Sequence, residues 1–432
     1  MSTTTRRILI SIAVLILASC VCLSLLAIAG VGAGYLQLNQ PATSTPTPRP
    51  ATPTPEARLD PTEASPAAST PAADLPAEVV QQMETIQDQV VELRGLPAER
   101  DVPRFLLGPE QLRQRVMDDF FKDYTAEDAQ DDATVLSALG LIPEDYDLLS
   151  LYIDLYSESV AGFYDQDEQV MYIVQDDNFQ GSERLTYSHE YTHALQDQAY
   201  DFKDGLGFTD EACEGQSERC AGLQALIEGD ASMIEQRWLM EFSTEQDMKD
   251  LQAELSGAST QVYDSAPAYV QQDMLFPYLK GLEFIESLYD RGGIQAVNAA
   301  YQAPPVSTEQ ILHPDLYPTE EPETVTLPDL SAALGSDWQS LDEETLGEWY
   351  TFLVLTSGSE EKFRLSEADG RAAAAGWDGD RYAVYLRESD QAAALVLETL
   401  WDDAQQADEF VKLFSDYGDQ RWGASRETSG QR

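Results

Sequence analysis

From His189 to His193 the chain reads His-Glu-Tyr-Thr-His, and this spacing restricts the local fold more than any other feature. Four residues make one helical turn plus a small angular drift, so on an α-helix both imidazoles leave the same face, close enough to share one metal ion. Glu190 lies beside that face, within reach of a water on such an ion. Only three histidines occur in 432 residues, which makes this pairing improbable by chance; an amphipathic helix with incidental histidines is the alternative. The flanking sequence Thr186 to Leu195 (TYSHEYTHAL) carries no charge except Glu190. A core helix that holds a metal needs such surroundings.

Two histidines leave a catalytic site of this kind one protein ligand short. In Ala221 to Phe242 the apolar residues Leu223, Leu226, Ile227, Ala231, Ile234 and Trp238 recur at helical spacing, which predicts a second buried helix. Glu228 falls inside that run. A carboxylate there is costly unless it is paired or bound to metal, so Glu228 is the third candidate ligand. Asp230 and Glu235 are the competing carboxylates, and a solvated Glu228 is the alternative. Gly229 and Ala231 are small enough to let this helix approach the first one closely.

His189-Glu190-x-x-His193, with a glutamate on a following helix, resembles the gluzincin type of zinc metallopeptidase. HALQDQ (His193 to Gln198) followed by EGDA (Glu228 to Ala231) is also similar to a set of poorly characterised, membrane-anchored bacterial zinc peptidases. The likeness runs from about Glu78 to Asp315. It implies a zincin-like fold, one Zn²⁺ held by His189, His193 and Glu228, and a peptide or protein substrate. In that scheme Glu190 is the general base, taking a proton from a zinc-activated water and passing it to the leaving amine. The interval from His193 to Glu228 is longer than in thermolysin-like members. The tetrahedral intermediate calls for a further donor. His313, in a loop marked by Pro314 and Pro318, is the histidine left over; a structural histidine there and any of the 20 tyrosines are the alternatives.

Upstream, Val160 to Val174 reads as a β-hairpin, with Gly162 to Tyr164 and Gln169 to Val174 as strands and Asp165 to Glu168 as the turn. In gluzincin-like folds an edge strand at this place pairs with extended substrate, and backbone pairing would add affinity with little sequence preference. A plain structural hairpin is the alternative. The acidic turn lacks the glycine and the remaining ligands of an EF-hand loop.

Ile8 to Leu36 is apolar, follows Arg6 and Arg7, and is long enough to span a bilayer. The positive-inside bias puts 1–7 in the cytoplasm and the rest outside the cell membrane. Leu17-Ala18-Ser19-Cys20 also resembles a lipoprotein box, with a lipidated Cys20 as the alternative to a single-pass anchor. Pro, Thr, Ser and Ala dominate 37–73, which cannot bury a core and reads as a disordered stalk. The expected organisation is therefore a cytoplasmic tail 1–7, transmembrane anchor 8–36, stalk 37–73, catalytic domain 74–325 and a small α+β accessory domain 326–432 with a disordered tail.

The globular part is expected to be α+β and mainly helical. Helices are predicted at Asp74 to Asp101, Pro109 to Asp123, Pro143 to Ser159, Thr345 to Thr356 and Asp403 to Phe414, and strands at Arg381 to Arg387 and Ala392 to Leu400. Cys213 and Cys220, close in sequence, would join in an oxidising compartment. The net charge of −51, with all 77 acidic residues at or after Glu56, argues against nucleic acid as a partner. Two classes remain: a membrane-tethered, extracytoplasmic zinc peptidase, or a catalytically inactive cell-surface binding protein that keeps the zincin-like fold.

Overall fold

A computed structural model describes residues 70–71, 75–119, 121, 124–159, 162–174, 179–257 and 260–423. The anchor expected at 8–36, the segment 1–7, Cys20, Cys22 and nearly all of the stalk lie outside these residues. Among the described residues no helix is long and apolar enough to cross a membrane.

Within the range read as stalk, Thr70–Pro71 forms a short strand, β1. It is followed by α1 (Ala77–Arg94), β2 (Arg104–Leu107), α2 (Pro109–Asp119), α3 (Ala126–Leu139), α4 (Leu148–Ser159), β3 (Gly162–Asp165) and β4 (Val170–Val174). The central helices are α5 (Gly181–Tyr200), α6 (Asp210–Cys213), α7 (Ser217–Phe242), α8 (Glu245–Gly257), α9 (Gln261–Ser265), α10 (Ala268–Gly292), α11 (Ile294–Ala300) and α12 (Thr308–Leu312). The last part holds α13 (Ser331–Leu334), β5 (Trp338–Glu344), α14 (Gly347–Thr356), α15 (Glu367–Ala374), β6 (Trp377–Arg387), β7 (Ala393–Trp401) and α16 (Ala404–Trp422). The chain is α+β and mainly helical.

Two small sheets accompany the helices. The first has the order β1-β2-β4-β3, with β2 and β4 parallel and β3 antiparallel to β4 at the edge. The second is an antiparallel β5-β6-β7 meander. One cluster of buried apolar side chains runs from Met83 and Leu195 through Leu226 and Ile234 to Leu353, Val384 and Tyr417. The C-terminal elements thus share a core with the helical part, and Arg421 on α16 caps α3 by donating to the carbonyls of Leu139 (2.9 Å) and Ser137 (3.1 Å).

Helix ends differ from the sequence reading for local reasons. The helix expected from Pro143 starts at Leu148, because Asp147 accepts from the Ser150 N–H (3.0 Å) and so takes the capping role. The capping box at α3, with Thr125 accepting from Asp128 N–H and Asp128 accepting from Thr125 N–H, starts a helix that apolar periodicity had not marked. Cys213 and Cys220 are joined as a disulfide that ties α6 to the first turn of α7.

The close helix contact expected at Gly229 is real but involves a different partner. A Cβ on Gly229 would lie 2.2 Å from Gly281 of α10, and one on Gly281 would lie 2.2 Å from the Ala225 carbonyl oxygen. Paired glycines let α7 and α10 touch backbone to backbone. The α5 side of α7 is instead spaced by the longer side chains that make up the site.

Candidate metal centre

α5 is buried from Leu185 through Asp197, and its N-terminus is set by Glu183, which accepts from the Gln180 N–H (2.5 Å). His189 and His193 leave the same face of this helix, with ring centroids 4.7 Å apart. Glu228 enters from α7. Ligand atoms of His189, His193 and Glu228 all lie within 4.8 Å of one another. Glu228 Oε2 is 3.1 Å from His189 Nε2 and 3.4 Å from His193 Nε2.

These separations fit one ion. A tetrahedral centre with bonds of about 2.0–2.1 Å has ligand-to-ligand edges of about 3.3 Å. The hydrogen bonds behind the ligands fit as well. His189 Nδ1 sits 3.0 Å from Glu235 Oε2, and His193 Nδ1 sits 2.9 Å from Gln196 Oε1. Gln196 spends its amide N–H groups on the Ile227 carbonyl (3.1 Å) and Asp230 Oδ2 (2.9 Å), so its oxygen is the atom turned to His193. Each ring therefore donates from Nδ1 and directs Nε2 at the carboxylate.

Burial alone would raise the Glu228 carboxyl, yet His193 and His189 more than offset this and hold it below the ordinary range. An ionised carboxylate facing two Nε2 atoms calls for positive charge at the centre, either protons on the rings or one metal ion. His193 Nε2 and Glu228 Oε1 have no hydrogen-bond partner. The donor set of two imidazoles and one carboxylate suits zinc.

Glu190 is buried beside this group and its Oε2 accepts from the backbone N–H of Tyr164 on β3 (2.8 Å). That bond occupies the outer edge of β3 at Tyr164, where the sequence reading had left the strand open for substrate. Tyr164 is fixed further by its hydroxyl on Asp197 (2.8 Å). His189, Glu190, His193 and Glu228 are each 0–1 % exposed, so the whole group sits inside the core.

His313 is not brought to this group. It ends α12, half exposed, with Nε2 2.9 Å from Glu348 Oε1, and that hydrogen bond holds its pKa above the ordinary value. The reason is where α12 docks: Thr308 N–H donates to Glu218 Oε2 (2.8 Å), at the first turn of α7, about 15 Å of helix before Glu228. Among the tyrosines, Tyr278 of α10 packs with its ring centroid 6.2 Å from that of His189.

The supporting residues escaped the sequence reading. From sequence Glu235 and Asp230 read as rival ligands; the structure puts both one layer out, Glu235 on His189 Nδ1 and Asp230 on the Gln196 amide. Asp230 Oδ2 also accepts from buried Arg94 (2.8 Å) and from the Tyr301 hydroxyl (2.8 Å), which ties α1 and the end of α11 to the same network. The i,i+3 spacing of His193 and Gln196 was the one available signal for Gln196.

With the geometry in place, comparison with known proteins adds one match. A family described as "Domain of unknown function (DUF8575)" matches residues 336–432. No curated protein and no solved structure matches the chain. The matched stretch extends from just before β5 through α16 and contains none of His189, Glu190, His193 and Glu228.

Proposed function

We propose that this chain is a membrane-tethered, extracytoplasmic zinc peptidase of zincin-like fold, with His189, His193 and Glu228 as ligands of one Zn²⁺ and Glu190 as general base. The observation that carries the reading is the convergence of two Nε2 atoms and one carboxylate at tetrahedral spacing, with each Nδ1 already tied to an acceptor. Zinc bound there supplies Lewis acidity, acidifying a water and polarising a peptide carbonyl. The residues of the chain do the rest. Glu235 and Gln196 hold the imidazoles in the tautomer that leaves Nε2 for the metal. Glu190, beside His189 on the same helix, moves the proton, and its bond from Tyr164 N–H sets where Oε2 points. The tether rests on the apolar stretch from Ile8 to Leu36 and on the Arg6-Arg7 pair before it.

Burial of the group favours a second reading, a catalytically inactive cell-surface protein whose metal braces α5 against α7. One variant separates the two. Glu190→Gln is expected to keep one zinc per chain, measured by elemental analysis, while cleavage of denatured casein falls by about 10²–10⁴-fold. Equal cleavage by wild type and variant rejects Glu190 as base. Stoichiometric zinc in a wild type that cuts neither casein nor a peptide library establishes the second reading.

A further inference from the structure

The C-terminal sheet ends on a strand with an open side. In the order β5-β6-β7, β7 is an edge, and among the described residues its backbone bonds no element besides β6. The opposite edge is guarded. β5 carries Asp342, Glu343 and Glu344 and is broken by a bulge between Ser340 and Asp342, devices that keep further strands from pairing. β7 reads Ala-Ala-Leu-Val-Leu-Glu-Thr-Leu-Trp, with one charge and no proline, and none of its residues is buried. Its pairing with β6 is regular from Leu400 back to Ala393, so the outer side presents an unbroken row of backbone donors and acceptors.

A cleft of about 950 Å³ adjoins this strand on one face of the sheet. Leu386, Leu395, Leu397, Phe414 and Trp422 give it an apolar lining, and Asp131 of α3 with Glu144 and Asp145 of the following loop give it an acidic one. Trp422 is 50 % exposed, with the Arg421 guanidinium 5.0 Å from its ring centroid. Arg421 spends its donors on the carbonyls of Ser137, Ala138 and Leu139. Among the described residues no lysine or arginine pairs with Asp131, Glu144 or Asp145.

Edge and cleft belong together because of strand geometry. Residues directly opposite on neighbouring strands point to the same face. A strand added to β7 therefore sends every second side chain to the face of Leu395 and Leu397, over the cleft. Such a side chain meets hydrocarbon along its stem and carboxylates beyond it, which is the complement of lysine or arginine. A second copy of this chain is a poor occupant: it brings a net charge of −51, and its β7 carries Glu398 and no cation.

We propose that this edge and cleft bind an extended segment of a partner protein that carries lysine or arginine at alternate positions. Backbone pairing along β7 supplies affinity, and the acidic lining selects the side chains. β7 and α16 come from the C-terminal part and the three acids from the helical part, so the surface exists only where the two pack together. It contains none of His189, Glu190, His193 and Glu228 and does not depend on the zinc reading.

The test uses full-length protein carrying Glu190→Gln, which on the zinc reading leaves the probe uncut. The probe is a fluorescent nine-residue peptide of alternating lysine and valine, matched to the length of β7, and binding is read by anisotropy at about 0.15 M salt. Asp131→Lys/Glu144→Lys/Asp145→Lys is expected to weaken binding about tenfold or more. Glu78→Lys/Glu84→Lys/Glu92→Lys, which changes net charge equally at exposed positions of α1, should leave it within about twofold. Of two probes N-methylated at alternate residues, at least one should lose binding, since the amides that face β7 belong to one set. No binding of the parent probe, equal weakening in the two triple variants, or full binding of both methylated probes overturns the proposal. A dimer in sedimentation that Leu397→Lys dissolves also overturns it, by giving the edge to a second copy.

Discussion

Gln196 holds its amide oxygen 2.9 Å from Nδ1 of His193, one turn along the same helix. Its amide nitrogen is pinned by Ile227 and Asp230 of α7, so the side chain orients an imidazole and couples the two helices that carry the candidate ligands. Replacing it with leucine removes the acceptor and leaves Asp230 one donor short. Zinc affinity, measured by competition with a chelating dye, is expected to fall about 10–100-fold. Glu235→Gln, which keeps an acceptor oxygen for His189, should cost less than Glu235→Ala. Unchanged affinity in Gln196→Leu would mean that His193 does not bind the metal through Nε2.

Gly281→Ala tests how α7 is seated. Alanine improves helix propensity by about 1 kcal/mol, but its Cβ would stand 2.2 Å from the Ala225 carbonyl oxygen, a separation that forces the helices apart. Overpacking of that kind costs about 1–3 kcal/mol or more, so urea unfolding should show a net loss. Glu228 lies one turn beyond Ala225, and zinc affinity should fall with stability. A stabilised variant would show that the two helices can separate without strain.

The meeting of His189, His193 and Glu228 was legible because its signals are local: a four-residue spacing defines a helical face, and an acid inside an apolar run advertises itself. The hairpin at β3 and β4 was legible for the same reason, since strand alternation and turn residues are short-range. The α+β, mainly helical class followed from such elements. What stayed hidden depends on distant pairings. Nothing near Arg94 in sequence indicates that Asp230 and Asn298 will receive its guanidinium, and Gly229 carries no sign that its partner is Gly281. Helix α10 encloses Pro277, a residue that in sequence reads as a break. His313 was singled out by scarcity, which is a property of composition and says nothing about position.

His313→Ala bears on that last point directly. Loss of a donor to the tetrahedral intermediate typically costs about 10²–10³ in kcat. Because His313 is engaged by Glu348 of α14 (2.9 Å), peptide cleavage by the variant is expected to stay within about threefold of wild type, well short of that cost. Stability should drop modestly instead, since the buried Glu348 loses its partner. A loss of activity beyond 10²-fold would restore His313 as a catalytic group.

Glu218 gives the fold a pH dependence whose sign can be worked out. It is buried at the start of α7, with Thr308 N–H and the Thr308 hydroxyl each donating to Oε2 at 2.8 Å. Burial raises its pKa to about 8, with Asp380 and Glu348 adding like charge and the Thr308 bonds only partly offsetting the rise. From the ordinary carboxyl value of 4.5 up to about 8, the folded chain holds a proton that the unfolded chain has released. The stability this contributes is complete below the lower value, declines as pH rises at up to about 1.4 kcal/mol per pH unit, and is gone above the upper one. Asp380 and Glu344, each raised to about 6 chiefly by burial, act in the same direction over a narrower range. Glu218→Gln keeps an acceptor for Thr308 without the proton, so its unfolding free energy should lie near wild type at pH 5 and above it at pH 8, as read by urea denaturation across that range. Parallel curves for the two proteins would mean that Glu218 stays ionised in the fold, with the two Thr308 bonds outweighing its burial.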